Sequence, residues 1–121
     1  MDNLSAIYNI LHRCGISGKY RGFAMLLSAI QMSIEDDAQG SMITQSLYSR
    51  VAEECRCPIY CVERNIRTVV MRAWKTNRTY LQEMAGYLLV GPPTSSEFIV
   101  IITTYILCER CAESNFAKFL S

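Results

Sequence analysis

The sequence contains no apolar run of the roughly 18 residues that a membrane-spanning helix requires, although 50% of its 121 residues are hydrophobic. The N-terminal segment MDNLSAIYNILHRC has an acidic residue next to its start and is interrupted by polar residues, unlike a signal peptide. These absences predict a cytoplasmic protein with no membrane partner.

A large excess of charge of one sign is also missing. Twelve Lys and Arg residues and eleven Asp and Glu residues leave a net charge of +1, so nonspecific attraction to phosphates should be modest and weakened by salt. The distribution is uneven, because the segment from Arg50 to Arg78 has a balance of +4 and the rest of the chain a balance of −3. Any binding of an anionic partner should therefore centre on this segment.

The chain lacks the usual signatures of catalysis. It has no glycine-rich loop of the kind that cradles phosphates and no GxSxG motif. No Cys-His pair with a third orienting group is evident, and no pair of carboxylates suggests acid-base catalysis. We therefore predict that the protein is not an enzyme, has no catalytic residues and binds no cofactor.

The six cysteines follow no pattern that predicts a disulfide scaffold, and a cytoplasmic location keeps thiols reduced. Cys55, Cys57 and Cys61 cluster in one segment, and Cys108 and Cys111 form a CxxC pair. Structural zinc usually takes two close ligand pairs, which these spacings do not provide. The main expectation is small buried thiols and no metal site, with metal binding or redox sensing as the alternative.

The length suits one domain with a proper core, and the spacing of apolar residues predicts helices. A first helix should cover about residues 3–14 and end at Gly15. A second should begin at Ser17 or Gly18. Two further helices are expected at about 43–48 and 79–87, on either side of the basic segment. The sequence therefore predicts an all-α fold.

The segment after Gly91-Pro92-Pro93 contains conflicting signals. Thr94-Ser95-Ser96-Glu97 has the form of a capping box, in which Thr94 and Glu97 satisfy free backbone amides at the start of a helix. The following FIVIITTYIL is rich in β-branched residues, which favour strands, but it is too long for a typical strand and has no partner strand. We predict a helix over about 95–113, apolar nearly all round, which either forms the centre of the core or docks a second subunit.

Two helices joined by a tight turn are predicted over about residues 49–74. In this segment Ala52 takes the crossing position of a helix-turn-helix, and three residues take its expected apolar positions: Cys55, Cys57 and Val62. Arg56 occupies the turn position where glycine often provides a left-handed backbone. The pattern is typical of DNA-binding proteins, although helix pairs that never contact DNA also match it.

The second helix of the pair has two distinct faces at about 100° per residue. One is apolar and contains Ile59, Val62, Ile66, Val69, Val70 and Ala73, with Trp74 at its edge. The other is largely polar and contains Tyr60, Glu63, Arg64, Arg67, Thr68, Met71 and Lys75. Arginine can bond O6 and N7 of guanine, glutamate can accept from N4 of cytosine, and a threonine methyl can contact thymine. Glu63 and Arg64 are therefore the first candidates for reading bases.

Three segments resemble the C-terminal effector domain of the sporulation initiation response regulator, stage zero sporulation protein A. They are ILHRCGISGKYRGFAMLLSAI at 10–30, LYSRVAEECRCPIYCVERNIRTVVMRAW at 47–74 and PTSSEFI at 93–99. The likeness covers about residues 7 to 112 in the same order. It implies about six helices, a helix-turn-helix whose second helix enters the major groove, and a head-to-tail pair on tandem short DNA boxes.

The resemblance also implies roles for individual residues. Glu63 and Arg64 resemble the family's base-reading residues, and Arg67 resembles a neighbouring contact. The helix at about 95–113 resembles the element through which the family pairs.

This chain departs from the family at several positions. Cys61 stands where the family has an arginine, and Thr68 stands where it has a histidine. Residues 88–91 form a shorter segment that lacks the family's lysines. The departures imply weaker anchoring on phosphates and a different half-site sequence.

The sequence thus predicts a single all-α domain over residues 1–121, without a receiver domain, that regulates transcription by binding specific double-stranded DNA. The expected base readers are Glu63, Arg64 and Arg67, and the expected secondary contacts are Tyr60, Thr68, Lys75 and Arg78. A homodimer on tandem sites, or pairing with a related regulator, would use the helix at 95–113. The alternative function is a protein-interaction module that pairs with a full-length relative and modulates it without binding DNA.

Overall fold

A computed structural model describes the backbone of residues 3–38 and 45–120 and the side chains of residues 3–36 and 47–109. The described backbone forms six α-helices and no strand, which confirms the predicted all-α fold. The helices are α1 (Asn3–Arg13), α2 (Arg21–Ala38), α3 (Gln45–Cys55), α4 (Ile59–Thr76), α5 (Arg78–Ala85) and α6 (Ser95–Leu120).

Helix α1 ends where the sequence predicts, at a glycine in the left-handed conformation. Gly15 has φ +85°, its N–H donates to the carbonyl of His12 at 2.9 Å, and the N–H of Ile16 donates to that of Leu11 at 3.0 Å. These two bonds are the pair that defines a Schellman motif. A Cβ on Gly15 would lie 2.3 Å from Cγ2 of Thr76, so the glycine also allows the end of α4 to approach.

Helix α2 begins later than the sequence predicts. It starts at Arg21 rather than at Ser17 or Gly18, because residues 17–20 form a turn in which the N–H of Tyr20 donates to the carbonyl of Ser17 at 3.1 Å. The next residue, Gly22, allows α2 to pack closely on α4, since a Cβ there would lie 2.4 Å from the backbone oxygen of Asn65.

Helix α3 is longer than expected. The sequence predicts a short helix at about 43–48 and a separate helix-turn-helix from about residue 49, but residues 45–55 form one continuous helix. Positions 43 and 44 lie outside the described residues. Tyr48 helps to hold this helix in place, because its side chain is buried and its hydroxyl lies 3.0 Å from Oγ of Ser96 on α6.

Helix α3 also ends in a Schellman motif, but with an arginine in the left-handed position. The N–H of Arg56 donates to the carbonyl of Glu53 at 3.2 Å, and the N–H of Cys57 donates to that of Ala52 at 3.0 Å. Arg56 has φ +55°, so the arginine itself adopts the left-handed conformation that glycine often provides at this turn position. Pro58 then precedes α4 with an extended backbone, and the two helices form the helix-turn-helix.

The short helix α5 is fixed at both ends by polar contacts. The side chain of Asn77 caps it by accepting from the N–H of Tyr80 at 3.2 Å, and Gly86 ends it with φ +73°. The side-chain amide of Gln82 donates to the carbonyl of Tyr87, and its oxygen accepts from the N–H of Leu89 at 2.9 Å. Gln82 therefore fixes the chain that leads from α5 towards α6.

Helix α6 forms despite its β-branched residues, and it extends beyond the predicted end at about residue 113 to Leu120. Oγ1 of Thr94 accepts from the N–H of Glu97 at 3.1 Å, which confirms the Thr94 half of the capping box, whereas the Glu97 carboxylate accepts from the Tyr87 hydroxyl at 2.8 Å. Helix α6 packs against α1, α2, α4 and α5. The described part of α6 is therefore a core helix.

The core lies where α2, α4 and α6 meet. Each contributes an apolar side with several fully buried side chains, including Leu26, Ile66 and Ile102. Within the described residues, no helix is long and apolar enough to cross a bilayer. The packing leaves one side of α4 uncovered, and this side carries the candidate site.

Candidate nucleic-acid interface

The inner face of α4 is buried as its periodicity predicts. Six of its residues are buried, namely Val62, Ile66, Val69, Val70, Ala73 and Trp74, and Ile59 is half-buried at the start of the helix. Helices α2, α3, α5 and α6 pack around α4. Because α4 is held from several sides, the direction of its outer side chains is set by the core rather than by local contacts alone.

The outer face of α4 carries the predicted base readers, and all three are exposed. Glu63, Arg64 and Arg67 project into solvent. Glu63 and Arg67 are four residues apart, a spacing at which opposite charges on a helix can pair, yet the described side chains show no ion pair between them. Their charged groups are therefore available to a ligand.

Thr68 is also exposed, and its hydroxyl is engaged within α4. The hydroxyl donates to the backbone carbonyl of Arg64 at 3.0 Å, one turn earlier on the same helix. A threonine whose hydroxyl is engaged in this way offers mainly an apolar contact, such as one with the C5-methyl of thymine.

The remaining predicted contacts lie towards the two ends of α4. Tyr60, in the first turn, is 65% exposed. Lys75, in the last turn, is exposed. Arg78 begins α5, and its guanidinium carbon lies 4.2 Å from the centre of the Trp74 ring. The structure thus places Tyr60 near Glu63 and Arg64, whereas Lys75 and Arg78 lie several turns away from them.

Two other segments border the outer face of α4, and we call them its shoulders: Tyr20 with Arg72 on one side, and residues 92–95 on the other. On one side, Tyr20 and Arg72 line a shallow open cleft of about 520 Å³ together with Arg64, Arg67, Thr68, Met71 and Lys75. On the other side, residues 92–95 line a cleft of about 380 Å³ with Arg67, Val70 and Met71. The shoulders flank the outer face but leave Glu63 and Arg64 exposed.

The shoulder formed by Tyr20 and Arg72 was not predicted from the sequence. Arg72 lies outside the polar face predicted for α4, and Tyr20 falls just after Ser17 and Gly18, in a segment predicted to be helical, whereas α2 begins only at Arg21. The two residues are far apart in the sequence, so their proximity follows from the packing of α2 on α4. The concentration of basic residues between positions 50 and 78 was the available signal for Arg72.

The cysteines are only partly the buried thiols that the sequence predicts. Cys14 is fully buried, and burial raises the pKa of its thiol to about 12. Cys55, Cys57 and Cys61 are half-buried, and Cys108 is exposed, contrary to the expectation. Burial is also the main cause that raises the pKa of Cys55. All five are free thiols; the side chain of Cys111 lies outside the described residues, among which no metal-binding group of side chains occurs.

Comparison with known families agrees with this geometry. The family model described as the C terminal of the sporulation initiation factor Spo0A matches residues 7–106. Because the match covers most of the chain, the protein belongs to this family. The family comprises the DNA-binding effector domain of a sporulation regulator and is not a family of enzymes. The resemblance stated from the sequence is thereby confirmed.

Proposed function

We propose that this member of the Spo0A C-terminal family regulates transcription by placing the outer face of α4 in the major groove of double-stranded DNA. The proposal depends chiefly on one observation: Glu63, Arg64 and Arg67 are exposed and without ion-pair partners in the described structure, on a helix whose opposite face is buried. In a helix-turn-helix the second helix lies in the major groove, with its N-terminal residues at the base edges.

Helix geometry supports different roles for the two ends of α4. At 1.5 Å per residue, Lys75 lies about 18 Å along the helix axis from Glu63, whereas the major groove is about 12 Å wide. If Glu63 and Arg64 contact base edges and α4 enters the groove at an angle with its N-terminal end deepest, Lys75 lies over the sugar-phosphate backbone. Arg78 follows in the same direction. We assign base reading to Glu63, Arg64 and Arg67, an apolar base contact to Thr68, and backbone contacts to Tyr60, Lys75 and Arg78.

The described helices would act as one DNA-binding unit, with α3 and α4 as its helix-turn-helix. Helix α3 packs on α4, and the turn between them is fixed by the Schellman hydrogen bonds at Arg56 and Cys57. Because α3 and the turn support the inner face of α4, the residues on its outer face keep a fixed arrangement. Recognition of a particular base sequence requires such an arrangement.

We also propose that two copies pair through α6 on tandem DNA sites. In the part of this helix whose side chains the structure describes, residues 95–109, several side chains are buried, but one stripe faces solvent and includes Val100, which is 47% exposed, and Thr104. Positions 100 and 104 are one turn apart and lie on the same side. An exposed β-branched apolar residue beside a small one offers a surface that a second copy could cover.

Replacing Arg64 with alanine tests the base-reading role. The parent protein first selects its best duplex from a random pool, and affinities are then measured for that duplex and for variants at each base pair. Arg64→Ala should cost about 1–3 kcal/mol and relax the choice at one base pair. Arg50→Ala is the matched control, because Arg50 is engaged with Asp36 on the α2–α3 side. If Arg64→Ala binds the selected duplex as tightly as the parent does, the assigned role is wrong.

Introducing a charged residue on the exposed stripe of α6 tests whether two copies pair through this helix. Val100→Glu should abolish cooperative binding to two adjacent sites and leave binding to one site unchanged. Leu4→Glu places the same charge at a site of similar exposure, 44%, on α1 and should preserve cooperativity. Equal cooperativity in both variants would contradict pairing through α6. Pairing of the parent with a full-length relative, without any duplex binding, would support the protein-interaction module instead.

A further inference from the structure

The turn before α2 places a second group of basic side chains beside α4. Lys19 and Arg72 are exposed, and Tyr20 is half-buried between them. The guanidinium carbon of Arg72 lies 5.6 Å from the centre of the Tyr20 ring, and Nζ of Lys19 lies 5.9 Å from it. The ring of Tyr20 therefore lies near two cations, Lys19 from the turn before α2 and Arg72 from the fourth turn of α4.

No carboxylate neutralises this pair in the described part of the chain, where the ion pair present joins Arg50 to Asp36. Glu63 is on the same helix as Arg72, but nine residues separate them, so that the two side chains project from opposite sides of α4. The charged groups of Lys19 and Arg72 each lie within 6 Å of the centre of the Tyr20 ring, and like charges gathered at one place repel each other less when an anion lies beside them. The arrangement therefore suits a ligand with more than one negative charge.

The basic pair adjoins the proposed base readers. Arg72 follows Arg64 by eight residues, which places it about 12 Å further along α4 and about 80° around the axis. Tyr20, Arg64 and Arg72 line the same cleft, as does Lys75. The cleft is shallow and open, so it would not enclose a small anion. A strand that follows the edge of the groove read by Arg64 would pass directly over Tyr20.

We infer that Lys19, Arg72 and Lys75 bind successive phosphates of the DNA strand that borders the groove read by α4, and that Tyr20 is a positioning residue for the two cations on its ring. The inference depends on the proposed function and extends it to the turn before α2. Its ligand is the phosphodiester backbone, so these contacts supply affinity without choice of sequence.

The dependence of affinity on salt tests this inference. Each phosphate that a basic side chain neutralises contributes about −0.9 to the slope of log K against log salt concentration. Lys19→Gln and Arg72→Gln should each reduce the magnitude of the slope by about one, and the double variant by about two. Affinity for the parent's selected duplex and for a shuffled duplex should fall by the same factor, because the lost contacts do not read bases.

Three further variants separate this role from general effects of charge and folding. Arg50→Gln removes the same charge from an arginine that is engaged with Asp36 and should leave the slope unchanged. Tyr20→Leu should reduce the magnitude of the salt slope. Tyr20→Phe keeps the aromatic ring and should give the same slope as the parent protein. Circular dichroism and thermal unfolding establish that each variant is folded; if the double variant is not, the single variants provide the test.

The outcomes distinguish this inference from the proposed function. If the parent binds duplexes and Lys19→Gln and Arg72→Gln keep its slope, the inference is wrong and the base-reading role of α4 stands. A change in the preferred sequence, rather than an equal loss on both duplexes, would also overturn it. If the parent binds no duplex at any salt concentration, the proposed function and the inference both fail.

Discussion

The inner and outer faces of α4 differ in what holds their side chains. The inner face is enclosed by four other helices, and residues such as Ile66 and Val62 have no exposed surface. The outer face has few contacts within the protein, of which one is the bond from Thr68 to the backbone of Arg64. One helix therefore contributes to the core on one side and presents the proposed base-reading residues on the other. Substitutions on the two faces should affect different measurements.

The largest effect is expected from shortening a residue on the inner face. Ile66→Ala removes a fully buried side chain and leaves a cavity, which should lower the free energy of unfolding by about 2–5 kcal/mol. Urea unfolding measures this loss. At urea concentrations too low to unfold it, the Ile66→Ala variant should select the same DNA sequence as the parent. A change in the selected sequence would show that the two faces are not separable.

A smaller loss is expected where α2 approaches the inner face. Gly22→Ala would place a methyl group 2.4 Å from the backbone oxygen of Asn65, which forces the two helices apart and should cost about 1–3 kcal/mol of unfolding free energy. Gly18→Ala is the matched control, because a Cβ at Gly18 meets nothing within 4 Å. Equal stability of the two variants would contradict the close approach of α2 to α4.

The two faces of α4 could be predicted from the sequence because each depends on a local repeat. The apolar positions recur at the period of a helix, and the positions predicted to face inward are buried or, for Ile59, half-buried. The same reasoning predicted the helical state of α6 from Thr94 and Glu97, although the β-branched residues between 98 and 107 favour strands. There the capping signal and the burial of the helix outweighed local propensity.

Features that depend on tertiary contacts were not predictable in the same way. Ser17 and Gly18 resemble the start of a helix, but the chain turns first and brings Tyr20 against the side of α4. The division of residues 45–55 into two helices was wrong, and the contact of Tyr48 with Ser96 of the last helix is a tertiary one that the sequence does not show. The shoulder of the candidate site arises from the first of these contacts, so it became apparent only in the structure.

The smallest predicted effect concerns the turn that joins α3 to α4. Arg56 adopts φ +55°, a conformation that costs a residue with a Cβ about 1 kcal/mol or more and costs glycine little. Arg56→Gly should therefore raise the free energy of unfolding by about 0.5–1 kcal/mol, after allowance for the greater freedom of glycine in the unfolded chain. Chemical unfolding measures the gain.

Arg56→Ala separates the backbone effect from the effect of charge. Alanine and glycine remove the same guanidinium group, but alanine keeps the Cβ, so its stability should stay within a few tenths of a kcal/mol of the parent value. Both variants should weaken duplex binding equally if the arginine adds only a positive charge near the N-terminus of α4. If glycine gives no more stability than alanine does, the left-handed turn is not strained. The arginine would then need no compensating role beside the outer face.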